Sequence, residues 1–159
     1  MKVLLGLPRF EPNASPPLGI GYIAAVLKRN DIDVEILDPT FEDWEFAVKR
    51  IEKTDYDVLG FCAFTMNVNA GAKLAEIAKK ANLNVLTVFG GPHVCVEPEA
   101  TIKENAVDAV IIGEGEYAFL ELAQALENNR GLDGINGLWF KKDGKIIKNP
   151  PRELVKNLD

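Results

Sequence analysis

The sequence is poor in the residues that hold metals or staple small folds, with two cysteines, Cys62 and Cys95, and one histidine, His93, in 159 residues. So few ligands exclude a four-ligand Cys/His zinc site, an iron-sulfur cluster within this chain and a disulfide scaffold. Excess positive charge is also missing. Eighteen Lys and Arg stand against 24 Asp and Glu, for a net charge of -6, which argues against a duplex-binding stripe and predicts no nucleic-acid partner. No apolar run approaches the roughly 18–20 residues of a membrane helix, and the start Met1-Lys2-Val3-Leu4-Leu5-Gly6 reaches Pro8 and Arg9 too soon for a signal peptide. A cytoplasmic protein without a membrane partner is expected. Hydrophobic residues make up 47%, enough for one domain with a real core.

Short apolar runs recur near Lys2–Gly6, Val34–Leu37, Val58–Cys62, Val85–Phe89 and Ala109–Ile112. Between and after them the spacing predicts helices. Gly19, Tyr22, Ile23, Val26 and Leu27 fall at i, i+3, i+4, i+7 and i+8. So do Trp44, Ala47, Val48 and Ile51; then Ala70, Leu74, Ile77, Ala78 and Ala81; then Phe119, Leu122, Ala123 and Leu126. Helical pattern is expected in every gap. Strand alternating with helix predicts a doubly wound α/β fold with a parallel sheet. Four of the strands read as continuously apolar, while Asp33-Val34-Glu35-Ile36-Leu37 alternates and suits an edge. After Arg130, glycines punctuate two short apolar runs flanking Asp143-Gly144, which is a hairpin signal. Pro150-Pro151 ends regular structure, and 152–159 reads as a linker.

Ligands of such sheets bind beyond the carboxyl ends of the strands. The loops there are Leu7–Pro17, Ala63–Asn67, Gly90–Cys95 and Gly113–Glu116, where glycines and small polar residues concentrate. Each glycine pair alone reads as a turn leading into a helix; together the four loops suggest a rim that a large, flat or phosphate-bearing ligand can approach closely. Gly19-Ile20-Gly21-Tyr22-Ile23-Ala24 matches the dinucleotide fingerprint, with Asp38 at the distance of a ribose-binding acid. That motif needs a tight turn after the first strand, and Leu7–Pro17 intervenes instead; the glycines are expected to let the first helix press on the sheet. A phospho-receiver is excluded because Cys62 and Gly113 stand where a carboxylate and a lysine are needed. His93 reads equally as a ligand contact or a loop cap, and Cys62 and Cys95 as small apolar fillers. No nucleophile has an orienting base, so neither catalytic nor metal-ligating residues are assigned.

Taken in order, Pro16-Pro17-Leu18-Gly19-Ile20-Gly21-Tyr22-Ile23-Ala24-Ala25-Val26-Leu27, Gly90-Gly91-Pro92-His93, Asp108-Ala109-Val110-Ile111-Ile112-Gly113-Glu114-Gly115-Glu116 and the glycine-rich hairpin with Pro150-Pro151-Arg152 resemble the N-terminal cobalamin-binding domain of cobalamin-dependent radical S-adenosylmethionine enzymes. That group includes anaerobic magnesium-protoporphyrin monomethyl ester cyclases and many methyltransferases. The resemblance implies a flavodoxin-like (Rossmann-like) five-stranded sheet of order 2-1-3-4-5 with a C-terminal hairpin. The corrin would lie over the carboxyl edge and its nucleotide tail would reach among the loops. The contact set it implies is Pro17, Leu18, Gly19, Thr65, Gly90, Gly91, Pro92, His93, Gly113, Glu114 and Gly115. The expected divisions are 1–130 for the cobalamin-binding unit, 131–151 for the hairpin and 152–159 for the linker.

Two departures from the family pattern shape the expectation. The Cys-x-x-x-Cys-x-x-Cys motif that follows the linker in these enzymes is not in this sequence. The expectation is therefore a fragment, or a stand-alone relative, that binds without catalysis. S-adenosylmethionine and the 4Fe-4S cluster would then enter only through a radical domain in cis, which would make the full-length protein a methyltransferase or cyclase. Second, Leu7–Pro17 holds no histidine, so cobalamin is expected base-off, without a lower ligand from the first loop. A nucleotide- or dinucleotide-binding domain, and an interaction domain that has lost its ligand, remain the alternatives.

Overall fold

The computed structural model describes residues 1–8, 17–38, 42–53 and 55–153. The expected features on residues 9–16 of the first loop and 154–159 of the linker lie outside them. Five strands, β1 (Lys2–Gly6), β2 (Asp33–Leu37), β3 (Val58–Cys62), β4 (Leu86–Gly90) and β5 (Ala109–Ile111), alternate with α1 (Leu18–Arg29), α2 (Trp44–Lys53), α3 (Val68–Ala81) and the short pair α4 (Pro92–Val96) and α5 (Pro98–Lys103). Then come α6 (Glu116–Glu127), β6 (Leu138–Lys142) and β7 (Lys145–Lys148). The order across the sheet is β2-β1-β3-β4-β5-β6-β7. β1 to β5 pair in parallel, as the 2-1-3-4-5 expectation requires. The hairpin does more than append itself: β6 pairs antiparallel with β5 and β7 with β6, so it widens the same sheet. Its turn has positive φ at both Asp143 (50°) and Gly144 (74°), the requirement of a two-residue turn that matches strand twist.

Strand parity divides the core in two. Successive side chains of a strand point to opposite faces, so Val3, Leu5, Val58, Val88, Ala109, Ile111, Leu138 and Phe140 pack with α1 and α6. Leu4, Leu59, Phe61, Phe89 and Val110 pack on the other face with α2, α3 and α5. Gly60 breaks β3 on the α1/α6 face. A Cβ there would stand 2.7 Å from both Leu5 Cδ2 and Phe119 Cε2, so only glycine lets α6 close over the middle of the sheet.

Two local expectations are corrected. The buried stripe of α1 is Ile20, Ala24 and Leu27, and Tyr22 is exposed; the segment is apolar nearly all round, so two stripes compete and packing selects between them. Gly19 and Gly21 do not press on the sheet, since nothing lies within 4 Å of a Cβ built at either. The gap between β4 and β5 is helical as expected, in two short pieces, because Pro98 starts a second helix where the first would have to continue.

Candidate functional site

The carboxyl ends of β1, β3, β4 and β5 open into one cavity on the α1/α6 face, with a volume of about 460 Å³. Its floor follows strand parity: Leu5 and Leu7 from β1 and its extension, Gly60 and Cys62 from β3, Val88 and Gly90 from β4, and Ile111 from β5. Ile20 and Ile23 of α1 form one wall, and Glu116 and Phe119 of α6 form the other. The last side-chain positions of the central strands on this face are small, which leaves open a space that larger residues would fill.

The rim is built from turns. Gly91 adopts φ +96°, and a Cβ there would meet Cys62 Sγ at 2.8 Å and the Ala63 carbonyl oxygen at 3.0 Å. Pro92 then opens α4 at a position where the missing N–H costs no intrahelical bond. Gly113 also has positive φ (+91°), but nothing lies within 4 Å of its Cβ position. Gly115 caps α6, and its Cβ position lies 3.0 Å from Ile23 Cδ1, so a small residue sets the close approach of α1 to α6. Main-chain bonds tie the β3 and β4 loops together. Ala63 N–H donates to the Gly90 carbonyl (2.7 Å) and His93 N–H donates to that of Ala63 (3.0 Å). Asn67 Oδ1 accepts the Phe64 N–H at 2.7 Å and so closes the β3–α3 loop.

The structure brings Pro17, Leu18, Gly19, Gly90, Gly91, Pro92, Gly113, Glu114 and Gly115 together on this cavity. Thr65 and His93 do not line it. They stand on the rim outside, where Thr65 Oγ1 and His93 Nδ1 share a hydrogen bond of 3.2 Å whose donor depends on the imidazole tautomer. The expectation that both cysteines act as fillers holds for Cys62, which is partly buried, and fails for Cys95, which is exposed. Burial pushes the Cys62 thiol up from its ordinary value, with Cys95 adding to the shift, so it is held away from the thiolate form that a nucleophile needs. Among the described residues, no group of three or more His, Cys, Asp or Glu could hold a metal ion. Sequence reasoning placed Leu7 and Glu116 in candidate loops without including them in the contact set, and it missed Leu5, Ile20, Ile23, Gly60, Val88, Ile111 and Phe119 of the floor and walls. Counting i, i+2 back from each strand end would have found the floor, and Gly60 interrupting an apolar strand was the visible signal.

The dinucleotide alternative fails on geometry, since Gly19 and Gly21 lie inside α1 rather than in a tight turn leaving β1. The arrangement is instead a broad glycine-edged mouth over an apolar slot. It can hold a large ligand, and among the described residues that line it no acid–base or nucleophilic pair is assembled for a reaction.

Comparison with known proteins agrees with the fold. The family described as the B12 binding domain matches residues 12–123. The chain is 43% identical to an uncharacterized methyltransferase of Pyrococcus horikoshii, over 100% of this chain and 37% of that protein. It is 28% identical to the anaerobic magnesium-protoporphyrin IX monomethyl ester cyclase of Rubrivivax gelatinosus, over 100% of this chain and 31% of that enzyme. The chain thus spans about a third of the length of these curated relatives. Among solved structures, the radical S-adenosylmethionine methyltransferase TsrM from Kitasatospora setae, determined with cobalamin and a 4Fe-4S cluster bound, superposes with a TM-score of 0.82 at 22% identity. That match covers 98% of this chain and 30% of TsrM, and it shows a shared fold.

Proposed function

The chain belongs to the B12 binding domain family, and from that premise we propose that it is the cobalamin-holding module of a radical S-adenosylmethionine enzyme. The observation that carries this reading is the cavity of about 460 Å³ at the carboxyl edge, apolar at its floor and edged by glycines. The residues fit the group: a corrin face is broad and largely apolar, and Gly90, Gly91, Gly113 and Gly115 present backbone where side chains would hold it off. The rim receives the corrin. The slot between α1 and α6 takes the nucleotide tail against Leu5, Val88, Ile111 and Phe119. Pro17, Leu18, Gly19, Pro92 and Glu114 complete the mouth, while Thr65 and His93 act from the rim.

Cobalamin, when bound, supplies methyl transfer or electron donation at its cobalt, and the protein contributes placement and electrostatics. The first loop holds no histidine that could ligate cobalt, and with its nucleotide tail in the slot between α1 and α6 the cofactor would be held base-off. Residues 1–130 form the cofactor unit, 131–151 widen its sheet, and 152–159 lead toward a radical domain in cis that brings S-adenosylmethionine and the iron-sulfur cluster. The whole protein is then a methyltransferase or cyclase. Relatives of both kinds, about three times the length of this chain, support that assignment. Among the described residues no helix is long and apolar enough to cross a membrane, and the two unpaired cysteines suit a reducing cytoplasm.

The test is a titration of hydroxocobalamin into the purified chain, followed by visible absorbance and by retention on desalting. A saturable spectral change with stoichiometric retention is expected. Complete loss of colour on desalting, with a thermal midpoint indifferent to the cofactor, would instead favour an interaction domain without ligand.

A further inference from the structure

Glu116 opens α6 on the wall of the cavity. Its Oε2 is buried and has no hydrogen-bond partner. A carboxylate oxygen left unmatched in an apolar setting is costly, and native structures rarely keep one without a reason. The neighbours offer no relief. Phe119, one turn on, packs toward Gly60, and Gly115 is pressed against Ile23. A ligand that brings an N–H or O–H donor to this wall would match it.

We propose that Glu116 accepts a hydrogen bond from a sugar hydroxyl of the nucleotide tail, and so makes this site prefer a complete cobalamin to a corrinoid without its nucleotide. The inference rests on the reading of the cavity as the seat of that tail. The order of chemistry down the slot supports the choice of donor. The floor of Leu5, Val88 and Ile111 suits an aromatic base, and the mouth at Gly90, Gly91 and Gly113 exposes main chain. A ribose joining base to phosphate passes between the two, at the level of the α6 wall. The phosphate itself, being anionic, is the one part of the tail that a carboxylate would repel. Glu116 is therefore a positioning and specificity residue that takes no part in the chemistry at cobalt.

The experiment compares hydroxocobalamin with cobinamide, which has the corrin and its amides but no nucleotide, on the wild-type chain and on Glu116→Ala and Glu116→Gln. Wild type is expected to bind cobalamin more tightly. Glu116→Ala should lose about tenfold in cobalamin affinity, the size of one hydrogen bond to a charged group, while its cobinamide affinity stays unchanged. Glu116→Gln keeps a carbonyl acceptor and should recover part of the loss, with far-UV circular dichroism confirming that all three chains fold alike. An equal loss for both ligands would place the contact on a corrin amide and overturn the proposal. Unchanged affinity for both would mean that water alone satisfies Oε2, and would overturn it as well. Wild type binding neither ligand would overturn the cobalamin reading and this inference with it, which separates that failure from the other two.

Discussion

Single atoms decide whether the rim is open. Gly91 and Gly113 share a left-handed backbone, at φ +96° and +91°, but their surroundings differ. At Gly113 a methyl group meets nothing within 4 Å, so Gly113→Ala should cost only the conformational penalty, about 1–2 kcal/mol. At Gly91 the same methyl runs into Cys62 Sγ at 2.8 Å and backbone of Ala63 at 3.0 Å. Gly91→Ala should therefore be clearly the more destabilising, with the clash added to about 1–3 kcal/mol of backbone strain. Urea unfolding of the two variants checks the order, and equal midpoints would contradict it. The glycine-rich loops were legible in the sequence. What each glycine is for was not, because Gly19 and Gly21 look like packing glycines and face open space, whereas Gly60, inside an ordinary apolar run, is the one that two side chains require.

Among the elements, the edge strand carries its own charge network. Glu35 on β2 accepts from Arg50 Nη2 and from Tyr56 Oη, both at 2.7 Å, and pairs with Lys2 Nζ at 2.8 Å. Arg50 also reaches Glu42 and the Ile36 carbonyl, so one guanidinium ties α2 to the end of β2. The Lys2 contact, then those of Arg50 and Tyr56, hold the Glu35 carboxyl down at about 2. A carboxyl depressed in the folded state stabilises the fold above its unfolded value near 4.5, and that contribution disappears as pH falls from about 4.5 to about 2. With the side chain 34% exposed, solvent screening trims the effect to about 1–2 kcal/mol. Stability measured by urea at stepped pH should fall through that window, and Glu35→Gln should flatten this part of the curve. An identical profile for the variant would refute the assignment. The alternating charge of Asp33–Leu37 announced this edge, and the periodicity of α2 and α6 announced their buried faces; in α3 Leu74 and Ala78 are buried as expected, but Ala81 is exposed and Gly71 and Ala75 are buried instead. In α1 the signal was ambiguous because apolar residues surround the helix, and only the packing partner, α6, settles which side is buried.

At the scale of the molecule, strand parity and chain crossing converge on one place. The sheet order leaves the ends of β1, β3, β4 and β5 adjacent, and the small residues Gly60, Cys62 and Gly90 of β3 and β4 on one face leave a slot roofed by α1 and α6. The loops at its mouth could be read from sequence because turn chemistry is local. The floor could not, since Leu5, Gly60, Val88 and Phe119 meet only when the sheet has formed. The hairpin was visible as a turn, but its pairing with β5 is a long-range choice that local signals do not encode.

The central claim is that this slot, and no other surface, seats the cofactor. Filling it tests that claim most directly. A Cβ at Gly90 has ordinary van der Waals room, 3.6 Å from the Ile111 carbonyl oxygen, and the residue lines the slot, so Gly90→Leu adds bulk at the cavity without breaking the strand. Hydroxocobalamin retention on desalting should drop at least tenfold in Gly90→Leu, while the cofactor-free thermal midpoint stays close to that of the wild-type chain. Full retention by a folded Gly90→Leu would contradict the account.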